Sequence, residues 1–240
     1  MARRAKPKPG LPPPLPPERR TVGQLVAESI RLYGAHFFRA LSLGLPVATV
    51  NVLVWASARP AHISRSIPSE VQLLLGPIGG LLITISFVAA CAIVTDHPFI
   101  SRSALTAYVT GVLVFIPFPF LAAIYVLPGL AWLALFGLAV PAALVEGLGI
   151  REALARGFRL ARVDFVHVLG GLATLALVVF LTQFSLFFVL REYAENTRVA
   201  AAILASLVAS PLLFLGGALL YVDQEARLRS RGEGQQGVRC

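Results

Sequence analysis

The sequence predicts an all-α polytopic membrane protein with six transmembrane helices, and three observations support this prediction. Of the 240 residues, 57% are hydrophobic and only 14% are charged, whereas about 25% of the residues in soluble domains are charged. The mean hydropathy is correspondingly high, at +0.77. The apolar residues are gathered into blocks that have the roughly 17–25 residues a transmembrane helix needs. A soluble protein with a large core fits poorly, because too few polar residues remain to cover its surface.

Residues 1–20 predict a disordered, basic, proline-rich tail. The stretch MARRAKPKPGLPPPLPPERR lacks the apolar core of a signal peptide, and its prolines favour an extended polyproline II conformation. We interpret it as a basic tether beside acidic lipid headgroups; a ligand for a proline-reading domain is the alternative. Residues 231–240 predict a second disordered tail, and the membrane domain covers residues 21–230.

The apolar blocks define the spans in order along the chain. The block at 103–149 has no charge before Glu146 and is too long for one crossing. Pro128-Gly129 is therefore predicted to divide it at a turn. The predicted spans are 37–56, 71–94, 104–126, 130–147, 165–190 and 199–222. Asn51 and Gln183 lie within spans, and we interpret these neutral amides as hydrogen-bonding partners between helices, although intramembrane polar residues are also functional candidates.

The distribution of basic residues predicts the orientation. Six spans place both termini on one side, and 17 of the 21 lysines and arginines then lie on that side. Cytoplasmic loops carry the excess of Lys and Arg. We therefore expect a multi-pass protein of the inner (plasma) membrane with both termini cytoplasmic.

Two charged segments, near residues 21–35 and 149–163, predict amphipathic interfacial helices. Their sequences are TVGQLVAESIRLYGA and GIREALARGFRLARV. At 100° per residue the apolar side chains of each fall within an arc of roughly 160°. A charged face is costly in hydrocarbon, so each helix is expected to lie at the cytoplasmic interface with its apolar face toward the acyl chains. The match between the two at an offset of 128 residues indicates an internal parallel duplication; convergence on a common amphipathic pattern is the alternative.

The arginines of these two helices are the predicted contacts for anionic lipid headgroups: Arg31, Arg151, Arg156, Arg159 and Arg162. Glu146 ends the fourth span just before the second helix. We predict that it forms a structural ion pair with Arg151 or Arg159, which would join that helix to the span.

The chain also resembles a known family. The stretches TVGQLVAESIRLYGAHFFRAL, AVPAALVEGLGIREALARGFRLAR and LLYVDQEARLR are similar to the bacterial glycerophosphoryl diester phosphodiesterase membrane-domain family, over most of residues 20–230. The resemblance implies a six-span membrane module. In some relatives this module is fused to a phosphodiesterase domain; we expect here a stand-alone module without that catalytic domain.

No catalytic or metal-binding motif is found in the sequence. The four histidines do not form a paired metal spacing, so we predict no metal and no cofactor. Asp96, His97, Asp164 and His167 could converge at the cytoplasmic end, together with Glu146 and Asp223, as a lipid-modifying enzyme would require. We interpret them instead as boundary residues that are solvated or paired with arginines.

Three functions are therefore considered. The first is a non-catalytic membrane scaffold or lipid-contacting module, which is no enzyme and whose partners are membrane lipids with anionic headgroups. The second is a small-solute transporter or channel, which predicts a polar path lined by Asn51, Thr84, Ser86 or Gln183. The third is the intramembrane lipid enzyme. No nucleic-acid partner is expected, because the basic residues flank apolar spans; a homo-oligomer or another membrane partner is left open.

Overall fold

The computed structural model describes residues 16–58 and 69–237, and no strand occurs in these parts of the chain. A short 3-10 helix at Pro17–Arg19 precedes the α-helices. These are α1 Val22–Ala35, α2 Phe37–Ser42, α3 Leu45–Ala58, α4 Ser69–Thr95, α5 Arg102–Phe115, α6 Pro117–Ile124, α7 Val126–Phe136, α8 Ala139–Glu146, α9 Ile150–Val163, α10 Phe165–Val189 and α11 Glu195–Gly237.

The prediction of an all-α protein with six spans is confirmed. Six stretches of the described residues are long and apolar enough to cross a membrane: Phe37–Ser57, Gly76–Thr95, Arg102–Ala122, Val126–Glu146, Phe165–Val189 and Glu195–Arg231. The first, third and fourth stretches each consist of two consecutive helices. The chain is therefore an α-helical, multi-pass membrane protein.

The turn between the third and fourth spans was predicted wrongly. The chain reverses at Tyr125, whose backbone is extended (φ −154°, ψ 145°) between α6 and α7. Pro128 is instead the third residue of α7, where its missing N–H costs nothing because the first four amides of a helix have no partner within it. Gly129 is buried in the same helix, and a Cβ there would lie 3.1 Å from the side chain of Ala122. The glycine thus lets the two spans pack closely beside a one-residue turn.

Both predicted tail boundaries need correction. Helix α11 has 43 residues, so it is about 64 Å long at 1.5 Å per residue, roughly twice the thickness of the hydrocarbon core. It continues to Gly237, through most of the predicted C-terminal tail. At the other end, Arg20 is buried, with 8% of its surface exposed, and the 3-10 helix before it packs against α11. The remainder of the two tails, 1–15 and 238–240, lies outside the described residues.

The two amphipathic segments are helices with matching bounds. α1 and α9 have 14 residues each, begin 128 positions apart, and are followed by helices that begin at Phe37 and Phe165, again at that offset. Buried positions also correspond at the same offset: Leu25 with Ala153, Ser29 with Gly157, and Ala40 with Val168. The likeness of the two segments therefore extends from sequence to helix length and packing.

Protein covers part of each apolar face, and more of the face of α9 than of α1. In α1, Leu25 is fully buried in a cluster with Val168 of α10 and Leu220 of α11. In α9, the buried residues are Ala153, Gly157, Leu160 and Ala161, and the helix packs on α5, α7, α8 and α11. The same periodicity that would suit an interface also suits a helix packed on a bundle, so the sequence pattern did not separate the two.

Candidate functional site

Five ionisable residues from three distant segments form one group, which we call the charged cluster: Arg20, Asp164, His167, Asp223 and Arg227. Arg20 Nη1 donates to Asp223 Oδ1 at 2.5 Å. Asp223 is completely buried, and its other oxygen, Oδ2, lies 3.8 Å from His167 Nε2. The Arg20–Asp223 ion pair joins the segment before α1 to α11.

Arg227 makes the second connection of the charged cluster. Its Nη1 donates to the carboxylate of Asp164, and its Nη2 donates to the backbone carbonyl of Arg20 at 2.7 Å. Asp164 also caps α10, because its Oδ1 accepts from the backbone N–H of His167 at 3.1 Å. The positive charges of the two arginines thus balance the negative charges of the two aspartates. Removing one partner of a buried pair such as Arg20–Asp223 is costly, so the cluster fixes how the segment before α1 meets α10 and α11.

The enzyme hypothesis required Asp96 and His97 to meet Asp164 and His167, and the structure does not bring them together. Asp96 and His97 line a different cleft, beside His36 and Arg39. No hydrogen bond or ion pair joins the two groups in the described ranges. Among those residues there is also no group of three or more His, Cys, Asp or Glu side chains that could hold a metal ion.

Glu146 forms an ion pair, but with Arg156 rather than with Arg151 or Arg159. Arg156 Nε lies 2.9 Å from Oε1 and 3.1 Å from Oε2 of the carboxylate. The reason is the connection between α8 and α9: Gly147 adopts a left-handed conformation with φ 63°, which only glycine adopts readily. The chain then folds back so that position 156 faces Glu146.

Tyr221 of α11 extends this ion pair to a third helix. Its hydroxyl donates to Glu146 Oε1 at 3.0 Å, and the tyrosine is 1% exposed. Glu146 therefore connects α8, α9 and α11. The sequence alone offers no signal for Tyr221, which lies 75 positions away.

We expect Glu146→Ala to lower the free energy of unfolding in detergent by about 1–3 kcal/mol, because Arg156 and the buried Tyr221 hydroxyl both lose their acceptor. The measurement is a denaturant titration followed by circular dichroism. Glu28→Ala is the matched control, since Glu28 pairs with Arg31 at the surface of α1 at 3.3 Å and such pairs contribute at most about 1 kcal/mol. Equal effects of the two substitutions would contradict the assigned role of Glu146.

Three predicted headgroup contacts remain exposed on α9 without a carboxylate partner among the described residues. These are Arg151, Arg159 and Arg162, which we call the arginine face. At 100° per residue they lie within about 80° of each other around the helix. The Arg162 guanidinium lies 5.6 Å from the centre of the Phe158 ring. The arginine face is thus opposite the buried face of α9 and free to meet anions.

Asn51 and Gln183 meet at one serine that sequence reasoning missed. Asn51 Nδ2 donates to Ser206 Oγ at 2.8 Å, and Gln183 Nε2 donates to the same oxygen at 2.7 Å. The Ser206 hydroxyl in turn donates to the carbonyl of Ala202 at 2.9 Å. The three residues link α3, α10 and α11. Serine side chains often donate a hydrogen bond to a carbonyl of their own helix. The sequence therefore did not indicate that Ser206 makes long-range contacts.

One cavity, lined by six of the helices, is apolar. Its volume is about 100 Å³, and it is lined by phenylalanine, leucine, alanine and glycine side chains from α4, α5, α6, α7, α10 and α11, with Phe87, Leu133 and Phe214 among them. Thr84 does not line it and instead donates to the carbonyl of Gly80. The cavity therefore lacks the polar lining expected of a solute path.

No family model, curated protein or solved structure matches this chain.

Proposed function

We propose that the protein is a non-catalytic plasma-membrane module that binds anionic lipid headgroups on the cytoplasmic side through the arginine face of α9. The observation that supports this is the combination of two faces on one helix. Ala153, Gly157, Leu160 and Ala161 fix α9 on the bundle, while the arginine face points outward without carboxylate partners in the described part of the chain. Guanidinium groups match phosphate in geometry and charge.

The other two predicted headgroup contacts have different roles in this proposal. Arg156 is engaged by Glu146, and Arg31 pairs with Glu28. Neither is therefore available to phosphate in the way that the three residues of the arginine face are. The cytoplasmic placement follows from the excess of basic residues on the side of the termini.

The alternatives receive less support. A carrier of polar solutes needs a polar path, and the cavity lined by six of the helices is apolar. A lipid enzyme needs convergent carboxylates and histidines, whereas Asp96 and His97 lie in a separate cleft from the charged cluster. The resemblance to the glycerophosphoryl diester phosphodiesterase membrane-domain family is compatible with a lipid-contacting module, and the proposal does not depend on it.

The proposal predicts that Arg151, Arg159 and Arg162, replaced together by glutamine, cause a loss of affinity for anionic lipid on the order of 100-fold. Each basic residue near an anionic surface contributes about 1 kcal/mol, and each 1.4 kcal/mol is a factor of ten. The measurement is binding of phosphatidylglycerol to the purified protein in detergent, by native mass spectrometry.

The control removes the same charge from scattered surface positions, as Arg19→Gln, Arg31→Gln and Arg229→Gln together. It is expected to change phosphatidylglycerol binding much less, because these arginines do not share one face. Equal losses in the two triple variants would show that net charge alone attracts the lipid. An unchanged affinity of the first variant would overturn the proposal.

A further inference from the structure

A polar cleft separate from the arginine face opens where α2 meets the C-terminal end of α4. Its volume is about 330 Å³. Its polar lining consists of His36, Arg39, Ser42, Asp96 and His97, and Ala89, Ala92 and Ile93 of α4 contribute to its apolar wall. Two of the lining side chains, Arg39 and Asp96, are fixed charges of opposite sign.

These two charges are free for a ligand. Neither the Arg39 guanidinium nor the Asp96 carboxylate has an ion pair or hydrogen bond in the part of the chain that the structure describes, and both residues are exposed. Two other carboxylates are engaged by arginines: Glu146 by Arg156 and Asp223 by Arg20. A cation and an anion that line one cleft without pairing are complementary to a ligand that carries both charges.

The backbone conformation of Asp96 determines where its carboxylate lies. Its φ is 53°, in the left-handed region that side chains of L-residues disfavour. The N–H of His97 donates back to the carbonyl of Ala92 at 3.1 Å, which is the hydrogen bond of a helix terminus that usually has glycine at the left-handed position. Aspartate is one of the few other residues that adopt this conformation, and here the helix end places its carboxylate in the cleft.

An apolar groove adjoins the polar cleft and shares one wall with it. The groove has a volume of about 250 Å³, and Phe99 lines both spaces. Along α4, Ile85 and Val88 line the groove, whereas Ala89 and Ala92 line the cleft. These positions recur at three- and four-residue intervals before Asp96, so a single face of α4 runs from the groove to the carboxylate.

We propose that the cleft and groove together bind one aminophospholipid, whose headgroup has a phosphate and a nearby ammonium group, as in phosphatidylethanolamine. The phosphate lies at Arg39, with His36 and His97 beside it, and the ammonium lies at Asp96. One acyl chain lies in the groove past Phe99. A lipid without an ammonium would meet the Asp96 carboxylate uncompensated, so the cleft selects a zwitterion, whereas the arginine face makes no such selection.

The test is native mass spectrometry of the full chain in detergent, titrated separately with dimyristoyl phosphatidylethanolamine and dimyristoyl phosphatidylglycerol. At a saturable site the unmodified protein is expected to bind the ethanolamine lipid roughly fivefold more tightly, as one carboxylate–ammonium contact at a surface allows. Asp96→Asn should abolish this preference, and it should leave the fold intact because asparagine tolerates the left-handed conformation. Arg39→Gln should weaken both lipids at this site by roughly fivefold.

Two further variants keep the test decisive. Asp96→Gly, which removes the carboxylate and suits the left-handed backbone, must also lose the preference. Glu152→Gln, at an exposed position of α9, must retain it. The glutamine triple variant of the arginine face must retain it too, which separates this proposal from the proposed function. Equal binding of the two lipids by the unmodified protein, or an unchanged preference in folded Asp96→Asn, would overturn the assignment.

Discussion

Replacement of Asp223 by alanine is expected to lower the free energy of unfolding by about 3–5 kcal/mol, the cost of removing one partner from a buried ion pair. The carboxylate is completely buried, and the Arg20 side chain that it accepts from is only 9% exposed. Without Asp223, the buried guanidinium of Arg20 loses the carboxylate to which it donates. The measurement is unfolding of the purified protein in mixed detergent micelles, followed by circular dichroism.

Glu225→Gln is the matched control for Asp223→Ala. Glu225 lies on the same helix, two residues away, and pairs with Arg229, whose side chain is 73% exposed. Exposed pairs contribute at most about 1 kcal/mol, so the control should change stability little. A double variant that replaces both Arg20 and Asp223 with methionine should be more stable than Asp223→Ala, because no buried charge of the pair is then uncompensated. Stability of Asp223→Ala equal to that of the unmodified protein would show that the cluster is solvated rather than buried.

Gly157→Ala is expected to destabilise the protein by about 2–3 kcal/mol, although alanine is the better helix former. A Cβ at this position would lie 2.5 Å from the backbone nitrogen of Ala139 and 2.7 Å from its Cα. Backbone atoms have no rotamer to change, so α9 must move away from α8, and overpacking of this kind typically costs about 1–3 kcal/mol. The shift would also lengthen the contact between Arg156 and Glu146.

Gly34→Ala makes the same chemical change in the matching helix, with the opposite expected sign. Gly34 lies in α1 and would place its Cβ with no atom within 4 Å. The substitution should therefore raise stability by up to about 1 kcal/mol, through helix propensity alone. Measuring both variants under the same conditions separates packing from propensity. If both stabilise the protein, α9 does not lie against α8 as closely as described.

Much of the architecture could be predicted from the sequence because its signals are local. A span is indicated by the summed hydropathy of about 20 consecutive residues, and the bounds of α1 and α9 follow from periodicity within 14 residues. The prediction of a turn at Pro128 was wrong for an equally local reason. Proline suits a turn and the first turn of a helix, and the pattern did not distinguish the two positions.

The candidate sites could be predicted only in part. Asp96, Asp164, His167 and Glu146 stand out as charges at span ends, so the sequence named the residue types. It did not predict that Asp164 and His167 join Arg20 and Asp223, which are separated by 203 positions. Nor did it predict that Glu146 selects Arg156 over two neighbouring arginines.

The sequence by itself determined that the chain is a bundle of six apolar helices with two amphipathic ones, because the free energy of transfer into a membrane adds up residue by residue along the chain. Only the tertiary structure decided which face of each amphipathic helix is covered by protein and which charges are paired. The physical reason is that an ion pair or a hydrogen bond requires its two atoms within about 3 Å of each other. That distance is set by how helices remote in sequence pack, as Gly157 on Ala139 shows.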